Sequence, residues 1–303
     1  MQEPDIRVEI GSLSLKNPTI LAAGILGTSA SSLNRIASLG AGAVVTKSIG
    51  SKPREGYPNP VVVQTECGLL NAMGLPNPSY KEFKWEIKRV KKEGVTVIAS
   101  IFGNSVEEFI EVATGICKAK PSALELNLSC PHAKGYGADV GTDPELVRKI
   151  TRSVKKEVEI PVWVKLTPNV TDIVEIGRAA ERGGADAIVA INTLRGMAID
   201  IESGYPILSN KIGGLSGKGI KPIAIRCVYE LYENLDIPII GVGGISNWRD
   251  AIEFIMAGAI AVQIGTAVYS DLNIFQQICS GIKTYLKEKK CTLEEIRGKA
   301  HEV

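Results

Sequence analysis

The sequence predicts a (β/α)8 (TIM) barrel, on three observations. Eight short apolar runs start near residues 19, 43, 95, 123, 161, 187, 238 and 260. Each run is followed by a stretch with helical spacing, and no domain linker or low-complexity segment interrupts the alternation. A doubly wound open sheet is the alternative, but it would carry a Gly-rich fingerprint after its first strand, and none follows Thr19 to Ala22. The whole chain, 1–303, therefore reads as one domain.

Taken in order, Val8 to Ile10 and Leu13 to Leu15 bracket Gly11-Ser12, the signal for a small N-terminal β-hairpin. Thr19 to Ala22 and Ala43 to Thr46 are the first two barrel strands, with a helix from Ser31 to Leu39 between them. Gly50 to Pro78 is rich in Gly, Pro and Asn and too long for an idle connector, so it reads as a functional loop insert over the C-terminal face. Helix Tyr80 to Lys92, strand Val95 to Ile101 and helix Val106 to Lys118 lead to the strand ending in Leu126-Asn127-Leu128. There Leu124, Leu126 and Leu128 point one way and Glu125 and Asn127 the other; with helices covering the sheet, the polar face turns into the barrel. Helix Pro144 to Val158, strand Pro161 to Leu166, helix Asp172 to Arg182 and strand Ala187 to Ile191 follow. A second insert, Asn192 to Gly219, precedes helix Pro222 to Asn234, strand Pro238 to Val242, helix Trp248 to Ala257, strand Ile260 to Ile264 and terminal helices.

Composition narrows the function classes. Hydrophobic residues make up 45% of the 303 and charged residues 22%, the balance of a globular protein with a sizeable core. A formal net charge of +2, with the basic residues spread along the chain, gives no electrostatic footprint for nucleic acid or anionic lipid. Aromatics at 5% offer little base-stacking surface. The start, MQEPDIRVEI, has neither a basic n-region nor an apolar h-region, and no apolar run reaches membrane-spanning length, so a cytoplasmic location is expected. The six cysteines lie far apart with no C-x-x-C pair, which argues against a zinc ribbon or an iron–sulfur cluster on this chain and for no bound metal. Most read as small buried apolar residues.

In such barrels chemistry gathers at the C-terminal strand ends. Those ends read Ala23-Gly24, Lys47-Ser48, Ser100, Asn127 with Cys130, Lys165, Asn192-Thr193, Gly243-Gly244 and Gly265-Thr266. The two glycine ends, each before a helix, and Ser216-Gly217 are either plain turns or backbone amides presented to a phosphate; three together favour phosphate. Alternation turns Lys165 to the same side as Trp163, into the barrel, where an ammonium needs an anion or a polar ligand. Lys47 is either a solvated strand-end lysine or a second cation for a ligand. Asn71, Asn127 and Asn192 add amides able to bond both donors and acceptors of a heterocycle. Cys130, in a Gly-rich loop above the polar strand end, is either an inert thiol or a nucleophile or general base. From residues alone, the chain is a barrel enzyme that binds a phosphorylated ligand and carries a reactive cysteine.

TILAAG, TKS, NAMGLPN, LNLSCP, GTDPE, INTLRGMAID, GGLSG, GVGGI and IGTA, in that order, resemble class 1 dihydroorotate dehydrogenase over nearly the whole chain. GTDPE after the cysteine loop and NTLRGMAIDI before GGLSG are similar to the B-type catalytic subunit more than to the A-type enzyme. The resemblance implies FMN-dependent oxidation of (S)-dihydroorotate to orotate in pyrimidine biosynthesis, with Cys130 taking the C5 proton. It implies that Lys47, Asn71, Ala72, Met73, Gly74, Leu75, Asn127, Asn192 and Thr193 hold the substrate. It implies an FMN site made of Ala23, Lys47, Ser48, Ser100, Asn127, Lys165, Ile191, Gly217, Gly243, Gly244, Gly265 and Thr266, with Lys165 stabilising negative charge on the reduced flavin. His132 and Ser100 depart from the family, which commonly has Asn at both positions.

One FMN per chain is expected. The B-type resemblance implies that electrons reach NAD+ through a partner subunit carrying FAD and a [2Fe-2S] cluster, bound to a homodimer core of a heterotetramer. Neither nucleic acid nor a membrane is expected as a partner. A dihydrouridine synthase would need a basic recognition stripe or an RNA domain, and a dihydropyrimidine dehydrogenase would need iron–sulfur cysteines here or on a partner.

Overall fold

The computed structural model describes residues 3–128 and 140–302. Cys130 and His132 lie outside the described residues. The N-terminal hairpin is β1 (Val8–Ile10) and β2 (Leu13–Leu15), paired antiparallel across Gly11-Ser12. Gly11 adopts φ 59°, the left-handed conformation such a turn requires.

Among the described residues eight parallel strands close into a barrel. In chain order they begin with β3 (Thr19–Leu21) and β4 (Ala43–Val45). The first insert then contributes β5 (Val62–Thr65) and β6 (Gly68–Asn71), and the barrel resumes with β7 (Val97–Ile101), β8 (Ala123–Asn127), β9 (Val162–Lys165) and β10 (Ala187–Ala190). The second insert holds β11 (Leu194–Gly196) and β12 (Gly213–Ser216), after which β13 (Ile239–Val242) and β14 (Ala261–Ile264) complete the ring, β14 pairing with β3. The expected barrel class, strand starts and N-terminal hairpin are all observed.

The helices form where the sequence supplies a helical period, five of the longer ones with a side-chain cap at the start. They are α1 (Ala30–Ser38), α2 (Tyr80–Lys92), α3 (Val106–Cys117), α4 (Pro144–Glu157), α5 (Ile173–Arg182), α6 (Lys221–Asn234) and α7 (Trp248–Met256), followed by short α8 (Ala267–Ser270), long α9 (Ile274–Lys289) and α10 (Leu293–Ile296). Ser29, Ser105, Asp143, Asp172 and Asn247 each accept from an amide of the first turn they precede, satisfying donors that the helix itself leaves open. On α4 the buried side chains are Val147, Ile150, Thr151 and Val154, one stripe that packs on the barrel while the lysines and arginines between them face water. The core therefore has two layers, one inside the barrel around Trp163 and one between the strands and the helices.

The inserts depart from the loops expected there. They form a four-stranded antiparallel sheet in the order β11-β12-β6-β5. Their strands are three or four residues long, and β12 opens with Gly213-Gly214, a composition that reads as a turn when taken alone. Pairing comes from a distant segment, since Asn71 of β6 faces Gly214 of β12 across the ladder. A Cβ at Gly213 would sit 2.7 Å from the Asn71 carbonyl oxygen, so glycine is what lets the two inserts approach.

The loop after β3 is pinned to the end of β4 in the same manner. Gly27 O accepts from the Lys47 amide at 2.8 Å, and a Cβ at Gly27 would lie 2.5 Å from Lys47 N and 3.1 Å from Val45 O. These neighbours are backbone atoms with no rotamer to yield. Gly27→Ala is expected to destabilise the fold by about 1–3 kcal/mol, the usual cost of overpacking. Urea unfolding measures it, and an unchanged midpoint would mean that the contact relaxes at no cost.

Candidate active site

At the C-terminal ends of the strands lies a cavity of about 830 Å³. Its lining draws on nearly every barrel strand end and on the sheet of the inserts. Ala23, Lys47, Ser48, Asn127, Lys165, Ile191, Asn192 and Thr193 come from the ends of β3, β4, β8, β9 and β10. Asn71, Met73, Gly74 and Leu75 come from the first insert, and Gly217, Gly243, Gly244, Gly265 and Thr266 from the glycine loops. Two predicted residues stand behind this surface. Ser100 is wholly buried with its hydroxyl 2.9 Å from that of Ser48, and Ala72 packs with Leu70 and Leu208 under the insert sheet.

A chain of polar side chains orients the amides. Asn127 Nδ2 donates to Ser48 Oγ at 3.0 Å, and Asn127 Oδ1 accepts from Asn192 Nδ2 at 3.3 Å. Asn192 Oδ1 accepts from the Thr193 amide, and Asn169 Nδ2 donates to the Thr193 carbonyl at 3.0 Å. Each amide thus has its oxygen and nitrogen ends assigned by its neighbours. The Asn71–Leu75 turn is held from the other side. Tyr57 N donates to Met73 O, and Gly74 at φ 75° leaves no room for a side chain against Tyr57.

Lys165 enters the barrel as alternation predicts and is 5% exposed. Its Nζ donates to Gln263 Oε1 at 3.1 Å and lies 3.6 Å from Glu125 Oε1. Gln263, an amide within the otherwise apolar Ala-Val-Gln-Ile of β14, also lines the cavity and was missed by the sequence reading. The signal was there, since a polar residue in a fully covered strand must face some partner. Cys67 was missed too: it is exposed at the tip of the β5–β6 hairpin and lines the cavity. The thiols of Cys117 and Cys227 are each pushed up to about 11 by burial, the behaviour of packing residues.

The Gly243-Gly244 loop is locked to α7 by one carboxylate. Asp250 Oδ2 accepts from the Ser246 amide at 2.9 Å, the Ser246 hydroxyl at 2.8 Å and Asn247 Nδ2 at 2.9 Å. Its Oδ1 accepts from Lys221 Nζ at 2.8 Å, which ties the loop to α6 as well. Burial pushes the Asp250 carboxyl up, but the bonds from Lys221 and from the amide and hydroxyl of Ser246 outweigh it and leave the group below the ordinary aspartate range. On the neighbouring loop Thr266 Oγ1 donates to Ser216 Oγ at 2.8 Å, joining the last barrel strand to the insert sheet.

The cavity is lined by amide and hydroxyl side chains and by the backbone of the glycine loops. The family model for dihydroorotate dehydrogenase matches residues 5–286. The chain belongs to the dihydroorotate dehydrogenase family. It is 63% identical to the catalytic subunit of dihydroorotate dehydrogenase B (NAD+) from Methanocella arvoryzae, over 98% of each chain. The protein of the same name from Methanocaldococcus jannaschii is 54% identical over the full length of both. A DHODH crystal structure from Eimeria tenella superposes with a TM-score of 0.88 over 99% of this chain and 90% of its own, at 22% identity, and so speaks for the fold alone. Among the described residues no helix is long and apolar enough to cross a membrane, and no group of His, Cys, Asp and Glu could hold a metal ion.

Because its folded-state value is depressed, the Asp250 carboxylate adds stability that is fully present above the unfolded value near 3.9 and is lost as pH falls through the lower folded value. Asp250→Asn is therefore expected to be less stable than the parent at pH 7, with the gap narrowing below about pH 4. Urea midpoints across that range test this; a constant gap would mean that the group does not titrate on unfolding.

Proposed function

We propose that this chain is the catalytic subunit of a two-component dihydroorotate dehydrogenase, oxidising (S)-dihydroorotate to orotate in pyrimidine biosynthesis with NAD+ as the final acceptor. One observation carries the reading. The amides of Asn71, Asn127 and Asn192 share a single cavity with Lys47, Lys165 and the loops of Gly217, Gly243-Gly244 and Gly265, which suits a small planar acid beside a phosphate-bearing flavin.

The donor set fits FMN. Gly217, Gly243, Gly244, Gly265 and Thr266 would hold its phosphate through backbone amides. Ala23, Lys47, Ser48, Asn127, Lys165 and Ile191 would surround its ring, with Ser100 acting on Ser48 from behind. When bound, the flavin supplies the hydride-accepting chemistry that no side chain can. The chain's own residues do the rest. Lys47 and the Asn71–Leu75 turn hold the substrate carboxylate, a cation and a set of amides being what a carboxylate needs. Asn127, Asn192 and Thr193 orient the pyrimidine, and their mutual hydrogen bonds fix which amide end each presents. Cys130 Sγ takes the C5 proton. A free thiol titrates near 8.5, so Cys130 works as a base only where its surroundings favour the thiolate.

The partner follows from what the reaction needs. The relatives bear the name of a catalytic subunit using NAD+, and we infer an electron-transfer subunit with FAD and a [2Fe-2S] cluster, joined to a homodimer of this chain in a heterotetramer. A cytoplasmic location goes with that reading.

An anaerobic spectrum tests the substrate. The flavin-loaded chain should bleach with dihydroorotate and with neither dihydrouracil nor NADH alone; bleaching by dihydrouracil would point to a different pyrimidine reductase. Cys130→Ala is expected to keep its FMN and to slow flavin reduction by about 10² to 10⁴, the scale of a general base. An unimpaired half-reaction would make the thiol structural. The isolated chain should pass electrons from dihydroorotate to artificial dyes while reducing NAD+ negligibly, until a flavin and iron–sulfur subunit is added. Rapid turnover by the pure chain with NAD+ or with fumarate would refute the two-component assignment.

A further inference from the structure

Two buried polar groups under the cavity have no task in this scheme. Glu125 on β8 is wholly buried, and among the described residues nothing donates a hydrogen bond to its Oε1. Gln263 on β14 is 1% exposed. Gln263 Nε2 donates to Glu125 Oε2 at 2.6 Å while Gln263 Oε1 accepts from Lys165 Nζ at 3.1 Å, so the amide bridges carboxylate and ammonium from a third strand. Lys165 Nζ also lies 3.6 Å from the unbonded Glu125 Oε1. Lys165 and Gln263 line the cavity; Glu125 stands behind them.

We propose that Glu125 and Gln263 are positioning residues that fix the Lys165 ammonium at the cavity floor, partly compensate its charge, and so set how much more tightly the site holds reduced than oxidised flavin. The bridging amide has only one sensible orientation, since turning it over would set its NH2 against the ammonium and its oxygen against the carboxylate. Lys165 has three protons to donate, and the bond to Gln263 uses one of them, leaving the others for the ligand. A packing role alone is a poor account of the trio. Replacing a buried ion pair by apolar side chains of similar volume is often neutral or stabilising, so ionised groups at this depth call for a use. The carboxylate weakens the positive potential that Lys165 offers to a reduced, more negative ligand. Its removal should therefore favour the reduced form.

This rests on the assignment of Lys165 to the flavin, and the test separates the two. Apoprotein is titrated with oxidised and with dithionite-reduced FMN, and the ratio of the two dissociation constants is compared among variants. Glu125→Gln should shift the ratio about tenfold toward the reduced form, or about 30 mV for a two-electron couple. Lys165→Met should shift it the opposite way. In the Lys165→Met background the added Glu125→Gln change should alter the ratio by less than twofold, because the carboxylate acts through the ammonium. If Lys165→Met moves the ratio and Glu125→Gln does not, Glu125 is a structural filler and the proposal is overturned. If Lys165→Met leaves the ratio unchanged, the lysine assignment fails and takes this inference with it. Should Glu125→Gln not fold, Gln263→Met is the second variant: it loosens the ammonium and leaves the carboxylate to pair with it, so a shift of at least threefold toward the oxidised form supports the bridge, and an unchanged ratio or a shift toward the reduced form overturns it.

Discussion

The site depends on a lysine ammonium carried into the interior of a closed barrel. Charge at that depth is costly unless it is paired, and the pairing here spans β8, β9 and β14, so the positions of three strands are coupled through one nitrogen. Parallel strands make this possible. Their alternate residues all point inward at one level, so that Asn127 and Lys165 stand side by side in the β8–β9 register with Glu125 and Trp163 one layer below. The rest of the cavity is built outward from that floor.

Much of this was legible in the sequence because it is local. The helical period and the apolar strands with polar ends act within a dozen residues, and they located the barrel and the helix Tyr80–Lys92 to the residue. The inward turn of Glu125 and Asn127 was likewise readable from alternation. What escaped was set by contacts distant in the chain. Strands β6 and β12 are glycine-bearing fragments that no pattern marks as strands, and each becomes one only because the other lies beside it.

The candidate site divides along the same line. Most of the residues picked out at strand ends gather around one cavity, since a barrel brings all its C-terminal ends to one rim. Ser100 and Ala72 stand one layer back, a distinction of a few ångströms that spacing does not carry. Gln263 looks like a stray polar residue until Glu125, 138 positions earlier, is seen beside it. The Ser100 hydroxyl reaches the amide of Asn127 through Ser48, so Ser100 belongs to the same hydrogen-bond chain as the residues that line the cavity.

The sheet made from the two inserts has a consequence for how the molecule comes to exist. Its central ladder joins Asn71 to Gly214, residues 143 positions apart with four of the eight barrel strands between them. Closing so large a loop is slow compared with forming neighbouring βα units, so this ladder belongs to the late stage of folding. A nascent chain can assemble its first several strands and still lack one wall of the cavity. The ability to bind a ligand thus arrives abruptly, when the second insert has emerged and found the first, and a one-residue slip in that pairing would turn the Asn71 side chain to the opposite face of its sheet in an otherwise sound barrel.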